Sequence, residues 1–270
     1  MSNYQLTRTL PTDSPYDIVV AGGGPAGCAA AICAARLGAR VLLAEATGCL
    51  GGMGTSGLVT AFDPMADGER MLVGGYMREL VETLYARGFL APHVTPDFWR
   101  RRYHCWTPFQ PEGLKLLLDE WTAAAGVEVR FFTRVIDAEV DATDRRVSGV
   151  VLHNIEGYRY VPATAFVDAT RDPVLGAICG VECRAAGINA PEPMPPTLCS
   201  LCSGIDWGRA RPTGDANCPA DQQHYLEQAI AAGHFSHQDR HMPGMFQVGD
   251  KTAMLNTGHV FGMNALNCRS

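Results

Sequence analysis

No uninterrupted apolar run in this chain approaches the roughly 18 residues that a membrane-spanning helix needs. Met1–Ser14 is polar and lacks the apolar segment of a secretory signal. The expectation is a soluble, cytosolic protein. A basic excess is also missing: the net charge is −6, from 22 Lys+Arg against 28 Asp+Glu. A general binder of nucleic-acid phosphates would carry a basic patch, and Arg100-Arg101-Arg102 is too short a run to supply one. Gly-x-Ser-x-Gly, Walker-type P-loop and His-Glu-x-x-His patterns do not occur, which removes the usual signatures of serine hydrolases, P-loop NTPases and zinc proteases. With no internal repeat, a solenoid is excluded too. What remains is an ordinary globular composition, 47% hydrophobic and 19% charged, over 270 residues.

The strongest local signal lies near the start. Asp17–Ala21 is an apolar run of buried-strand type. Gly22-Gly23-Gly24-Pro25-Ala26-Gly27 follows at once, and the Ala-rich Cys28–Leu37 predicts a helix ended by Gly38. Arg40–Glu45 predicts a second strand, completing a βαβ unit. Gly22, Gly24 and Gly27 form G-x-G-x-x-G: the first allows the tight turn, the second lets a pyrophosphate approach the backbone, and the third lets helix and strand pack closely. The helix N-terminus then faces the phosphates. Glu45 lies 21 residues past Gly24 (45 − 24), where an acid accepts the ribose hydroxyls and disfavours a 2′-phosphate. Strand, glycines, helix and acid together point to a dinucleotide site, but leave NAD and FAD both open.

Further along, Gly74–Gly88 and Glu112–Ala125 predict amphipathic helices, and Pro92–Pro111 predicts irregular chain. Val127–Phe132 predicts a strand. Val135–Val140, Val147–Asn154 and Tyr158–Val161 predict an antiparallel meander, followed by a separate strand at Ala165–Asp168. The prolines at 191, 193, 195 and 196 mark a linker. Asp221–Ala232 has a helical pattern, and Thr252–Leu255 and His259–Met263 read as strands.

Three segments carry a family resemblance. EATGCLGGMGTSG (Glu45–Gly57) resembles the loop of two-domain flavoproteins that leads from the ribose acid toward the flavin. Phe109–Val135 is similar to the helix and strand before their adenine-contacting strand, and FVDATRDPVLG (Phe166–Gly176) resembles their DATGD turn. Together these resemble the FAD-dependent oxidoreductase family allied to the flavin subunit of heterodisulfide reductase.

The resemblance implies an α/β fold: a Rossmann-like FAD-binding domain with a parallel sheet plus an antiparallel β-meander, and an incomplete second α+β substrate domain. Residues 1–15 would be a leader, 16–187 the FAD-binding domain with an insertion at about 58–108, and 188–270 part of the substrate domain. Gly22, Gly23, Gly24, Pro25, Ala26 and Gly27 would hold the pyrophosphate and Glu45 the ribose. Gly51, Gly52 and Met53 would line the approach to the flavin, and Val135 would offer its backbone to adenine. Ala169, Thr170 and Asp172 would close over the phosphates and ribityl chain. Arg171 departs from the family's glycine; it is strained there if the position needs φ > 0, or it adds a charge contact to the pyrophosphate.

The implied activity is flavin-mediated hydride or electron transfer on a small-molecule substrate. The alternatives are a split flavin-binding subunit completed by a C-terminal partner polypeptide, an NAD-binding dehydrogenase, and a flavin/iron–sulfur electron-transfer subunit. No family-type return to the FAD domain is read after Gly187, so the sequence looks like the N-terminal part of a longer protein.

Other constellations are weaker. Cys179, Cys183, Cys199, Cys202 and Cys218 offer thiolates for zinc or a 4Fe-4S cluster, but their spacing matches neither type of site. Reduced cysteines are the preferred reading. His104-Cys105 are adjacent and do not make a natural nucleophile–base pair. His234, His237 and His241 lack an accompanying carboxylate motif. His259 reads equally as a substrate contact or a structural histidine. No catalytic base is identified.

Overall fold

In Tyr16–Ala21 (β1) three successive residues, Val19, Val20 and Ala21, are buried. A strand covered on both faces belongs inside a parallel sheet. The computed structural model describes residues 5–96, 106–141, 143–184, 191, 194–210, 227–234, 244–256 and 258–261. It divides into two units, Met1–Gly52 with Leu117–Arg184 and Met53–Leu116 with Ala185–Ser270.

In the first unit, β1 runs into helix α1 (Pro25–Arg36) and then strand β2 (Val41–Ala44). Helix α1 turns Gly27, Cys28, Ala31 and Ile32 inward against β1 and β2. Arg36 caps its last turn with charge of the favourable sign and lies over the Trp121 ring at 5.1 Å. Strands β3 (Ala61–Phe62) and β4 (Thr107–Pro108) and helix α2 (Gly75–Ala86) come next in sequence, and helix α3 (Pro111–Ala125) follows. The sheet resumes with β5 (Glu128–Arg130), β6 (Arg134–Val140), β7 (Val147–Asn154) and β8 (Gly157–Asp168).

The sheet order is β5-β2-β1-β8-β7-β6. Strands β5, β2, β1 and the second half of β8 are mutually parallel. Strands β6 and β7 and the first half of β8 form the antiparallel meander. The Rossmann-like reading with an antiparallel extension is therefore the observed architecture. One core cluster gathers Tyr16, Val19, Ala21, Leu42, Ala44, Val135, Val150, Leu152, Val161 and Leu175. Leu175 belongs to the short helix α4 (Val174–Ile178).

Some boundaries differ from expectation. Tyr158–Val161 and Ala165–Asp168 are one strand, β8, not two. Residues up to Pro162 pair with β7 and residues from Ala163 pair with β1, so Pro162 sits where the strand changes partner. Residues ahead of β1, read as a leader, are partly tied in: Tyr160 donates its amide to Pro11 O at 2.9 Å and Asp13 returns one to Tyr160 O at 3.0 Å. Asp13 also pairs with Arg130 at 2.6 Å and Arg159 at 2.8 Å.

The second unit holds a β3–β4 ribbon and a three-stranded antiparallel sheet, β10 (Gly244–Gly249), β11 (Thr252–Asn256) and β9 (Ser200–Ser203). Phe246, Val248 and Met254 form one of its core clusters with Trp106 against them. Phe62 stacks on Phe109 at 4.3 Å. Of the strand expected at His259–Met263, His259–Phe261 are not strand; the rest lies outside the described residues. Residues 227–231 are helical, as the Asp221–Ala232 pattern predicts, with 221–226 outside the described residues. Among the described residues no helix is long and apolar enough to cross a membrane.

Candidate functional site

The carboxyl ends of β1, β2 and β8 meet at the glycine turn. Gly22 adopts φ +97°, a conformation glycine takes without strain. Its amide donates to Ala44 O at 2.8 Å, while Ala169 donates to Ala21 O at 2.8 Å. A Cβ on Gly22 would stand 2.6 Å from Ala169 O, so the turn after β8 presses directly on the turn after β1. A Cβ on Gly27 would stand 1.8 Å from Gly22 O, which no side chain survives. This is the close helix–strand contact that the third glycine is expected to permit.

Gly24 is different. A Cβ built there meets nothing within 4 Å. Gly24 is also the N-cap of α1, with no side-chain cap and no acid in the first turn, and Pro25 follows at the helix start. Proline suits that position because its missing N–H had no intrahelical partner to lose. The helix thus leaves its positive end uncapped by side chains and opens space in front of it, which fits a pyrophosphate.

Gly23 is the hub. Its amide donates to Glu45 Oε2 at 2.6 Å. Its carbonyl accepts the Gly51 amide at 2.8 Å and the Cys28 thiol at 3.1 Å. Burial pushes that thiol up to about 12, so Cys28 is a packed donor, not a nucleophile. Glu45 is 6% exposed and its other oxygen accepts the Thr47 amide at 2.6 Å. Gly52 comes so close to Gly24 that a Cβ would stand 3.0 Å from the Gly24 Cα.

The turn after β8 is built by Asp168. Its Oδ1 accepts the Thr170 amide at 3.0 Å and the Thr170 hydroxyl at 2.6 Å, and its Oδ2 accepts the Gly176 amide at 2.8 Å. Thr170 Oγ1 in turn accepts the Val174 amide at 2.9 Å, starting α4. Burial works against the Asp168 charge, but the hydrogen bonds from Thr170 and Gly176 prevail and hold its carboxyl below the usual range. Arg171, within this turn, has φ +69°: the position does adopt the left-handed conformation that favours glycine.

The structure therefore gathers Gly22–Gly27, Glu45, Gly51, Gly52, Ala169 and Thr170. Pro25 and Ala26 are exposed at the start of α1. Val135 is a buried core residue of β6, linked to the cluster through the nearby Thr133 amide, which donates to Glu45 O at 2.8 Å. Asp172 is exposed on the turn. Met53 opens the second unit and is 43% exposed.

Asp168 was missed as a site residue, although an acid at a strand end two residues before a threonine is a recognisable Asx-turn signal. Gly52, Gly54 and Gly57 repeat the G-x-G-x-x-G spacing, but there it is a 3-10 turn over Gly52–Gly54 with neither a strand directly before nor a helix directly after. Of Cys199-x-x-Cys202, read as loop, Cys202 lies in β9 and Cys199 just ahead of it, and burial raises the Cys199 thiol. Among the described residues no three His, Cys, Asp or Glu side chains stand together as a metal site. His104, Cys105, Cys218, His237 and His241 lie outside the described residues. His259 is buried in the second unit.

Comparison with known proteins follows the same lines. A family model described as FAD dependent oxidoreductase matches residues 17–269. The dihydrolipoyl dehydrogenase of Trypanosoma brucei brucei is 53% identical over 45 residues, 17% of this chain and 9% of that one. The solved structure of Thermovibrio ammonificans THI4 is similar over 62% of this chain and 64% of its own, at 19% identity and TM-score 0.45. Adenylylsulfate reductase from Archaeoglobus fulgidus is similar over 60% of this chain and 31% of its own, at 25% identity and TM-score 0.43. The chain thus spans less than two thirds of each of these proteins.

Proposed function

The chain belongs to the FAD dependent oxidoreductase family, its cofactor is FAD, and from that premise we propose that it carries out flavin-mediated hydride or electron transfer on a small-molecule substrate. The observation that supports the reading best is the open ground at Gly24, beside Gly23 packed on Glu45 and Gly22 packed on Ala169–Thr170. Gly22–Gly27 hold the pyrophosphate against the α1 N-terminus. Glu45 receives the ribose; each of its oxygens already accepts one amide and keeps a second lone pair for a hydroxyl. Gly51 and Gly52 let the chain pass close to the cofactor without side chains, and Met53 extends that path. Thr170 and Asp172 border the phosphates and ribityl chain, and Val135 presents its backbone to adenine.

Bound flavin supplies the redox chemistry; the protein supplies position and electrostatics. In this chain these are a close-packed glycine turn, a buried carboxylate and a helix dipole of the right sign. Apo-protein titrated with FAD tests this reading. Saturable binding at one flavin per chain, with perturbed visible absorbance, is expected. Lack of any flavin uptake by folded protein would overturn it.

A further inference from the structure

Phe132 is anomalous in three ways. It is 70% exposed, a bulky apolar residue in a loop between β5 and β6. It holds φ +51°, which is strained for an aromatic residue. And its ring is packed on glycine: a Cβ on Gly48 would stand 2.6 Å from Phe132 Cζ. The backbone around it is fixed to the ribose-acid segment. Phe132 donates its amide to Thr47 O at 3.0 Å, Thr133 donates to Glu45 O at 2.8 Å, and Glu45 donates to Arg130 O at 2.9 Å.

Strain that the surroundings hold in place is a pointer to function. At 70% exposure, little of the ring is buried by its own chain, so packing gives little reason for a large apolar side chain here. Exposed aromatics earn their place where a flat, apolar partner covers them, and a purine base is such a partner. Resting on the FAD reading above, we propose that Phe132 is a platform for the adenine ring, and that Gly48 is glycine so that the ring tip can sit against the segment that follows Glu45. With Glu45 at the ribose, the β5–β6 loop that carries Phe132 would be the segment next to the base, because Arg130 and Thr133 on either side of Phe132 are both bonded to the Glu45 backbone.

The test compares deflavinated wild-type protein with Phe132→Gly and Phe132→Trp. Affinities are measured for FAD, for ADP, which has the adenine, and for FMN, which lacks it. Phe132→Gly is expected to weaken FAD and ADP by about tenfold, in the range of one lost base–aromatic contact, and to leave FMN unchanged. Its melting temperature should rise, because glycine accepts φ +51° without strain. Phe132→Trp should restore FAD and ADP affinity. Wild-type binding of FAD and ADP with no change in Phe132→Gly overturns the platform and leaves the FAD site standing. Equal loss for FMN and ADP also overturns it, by placing Phe132 away from the base. Failure of wild type to bind FAD overturns the site itself.

Discussion

Glu45 accepts the Gly23 amide at 2.6 Å across 22 residues of chain. The acid proposed to meet the ribose therefore also shapes the glycine turn before any ligand arrives. Glu45→Gln keeps the volume but places an NH₂ group against one of two amide donors. Hydrogen bonds to charged groups are worth about 1.5–3 kcal/mol, so the apo-protein is expected to lose about 2 kcal/mol and FAD affinity to fall with it. Melting of the apo-protein and flavin titration measure the two effects separately. An unchanged apo melt would show that Glu45 serves the ligand alone.

The glycines separate packing from binding. Gly24→Ala adds a methyl group to open space at φ −67°, so its melting temperature should match wild type. The same methyl stands where the pyrophosphate is proposed to approach, and FAD affinity is expected to drop by more than about tenfold, roughly 1.4 kcal/mol. Gly27→Ala drives a Cβ to 1.8 Å from Gly22 O and should fail to fold stably. Circular dichroism melts and flavin titration on both variants check the contrast; equal behaviour would refute it.

The βαβ unit was legible because its signals are local. Val19–Ala21, the glycines, the Ala-rich helix and Glu45 each follow from neighbouring residues, and the FAD assignment followed from the loops after Glu45 and Asp168. What escaped is non-local. Strand β8 looked like two strands because Pro162 falls where its pairing passes from β7 to β1, a change no short window reveals. Strand β9 pairs with β11 across a long separation and has small residues, so no alternation marked it; β10 joins β11 through a short turn and went unread although its buried Phe246 and Val248 alternate. Glu45 was singled out by its spacing from Gly24. Asp168 was passed over because its three hydrogen bonds, reaching two and eight residues ahead, depend on how the turn folds back. Phe132 was read only as the end of a strand; its exposure and its φ are properties of the folded loop.

Arg171 resolves one alternative that the sequence left open. Its φ of +69° means that the family's glycine is absent from a position that wants it. Such a residue carries strain of about 1 kcal/mol or more. Arg171→Gly is expected to stabilise the apo-protein by about 1 kcal/mol. Urea unfolding measures that gain. If Arg171 also contacts the pyrophosphate, FAD affinity falls in the same variant; if it does not, affinity stays level.

Asp168 gives the first unit an acid-sensitive joint. Its carboxylate holds Thr170 and Gly176 together, and Thr170 then starts α4. The folded carboxyl is held below its ordinary value, so the charged form is favoured by folding. The stability it contributes is fully present above the unfolded value, about pH 4, and is lost as pH falls from there through the lowered folded value. Asp168→Asn removes the charge at every pH and should be less stable than wild type by about 1–3 kcal/mol near neutrality. Because wild type is itself protonated in acid, that gap should narrow as pH falls below about 4. Urea midpoints of both proteins between neutral and acid pH supply the measurement, and taking the difference cancels the titration of the other carboxylates. A gap that stays constant across the range would mean that the Asp168 hydrogen bonds survive protonation, and that the joint is held by shape instead of charge.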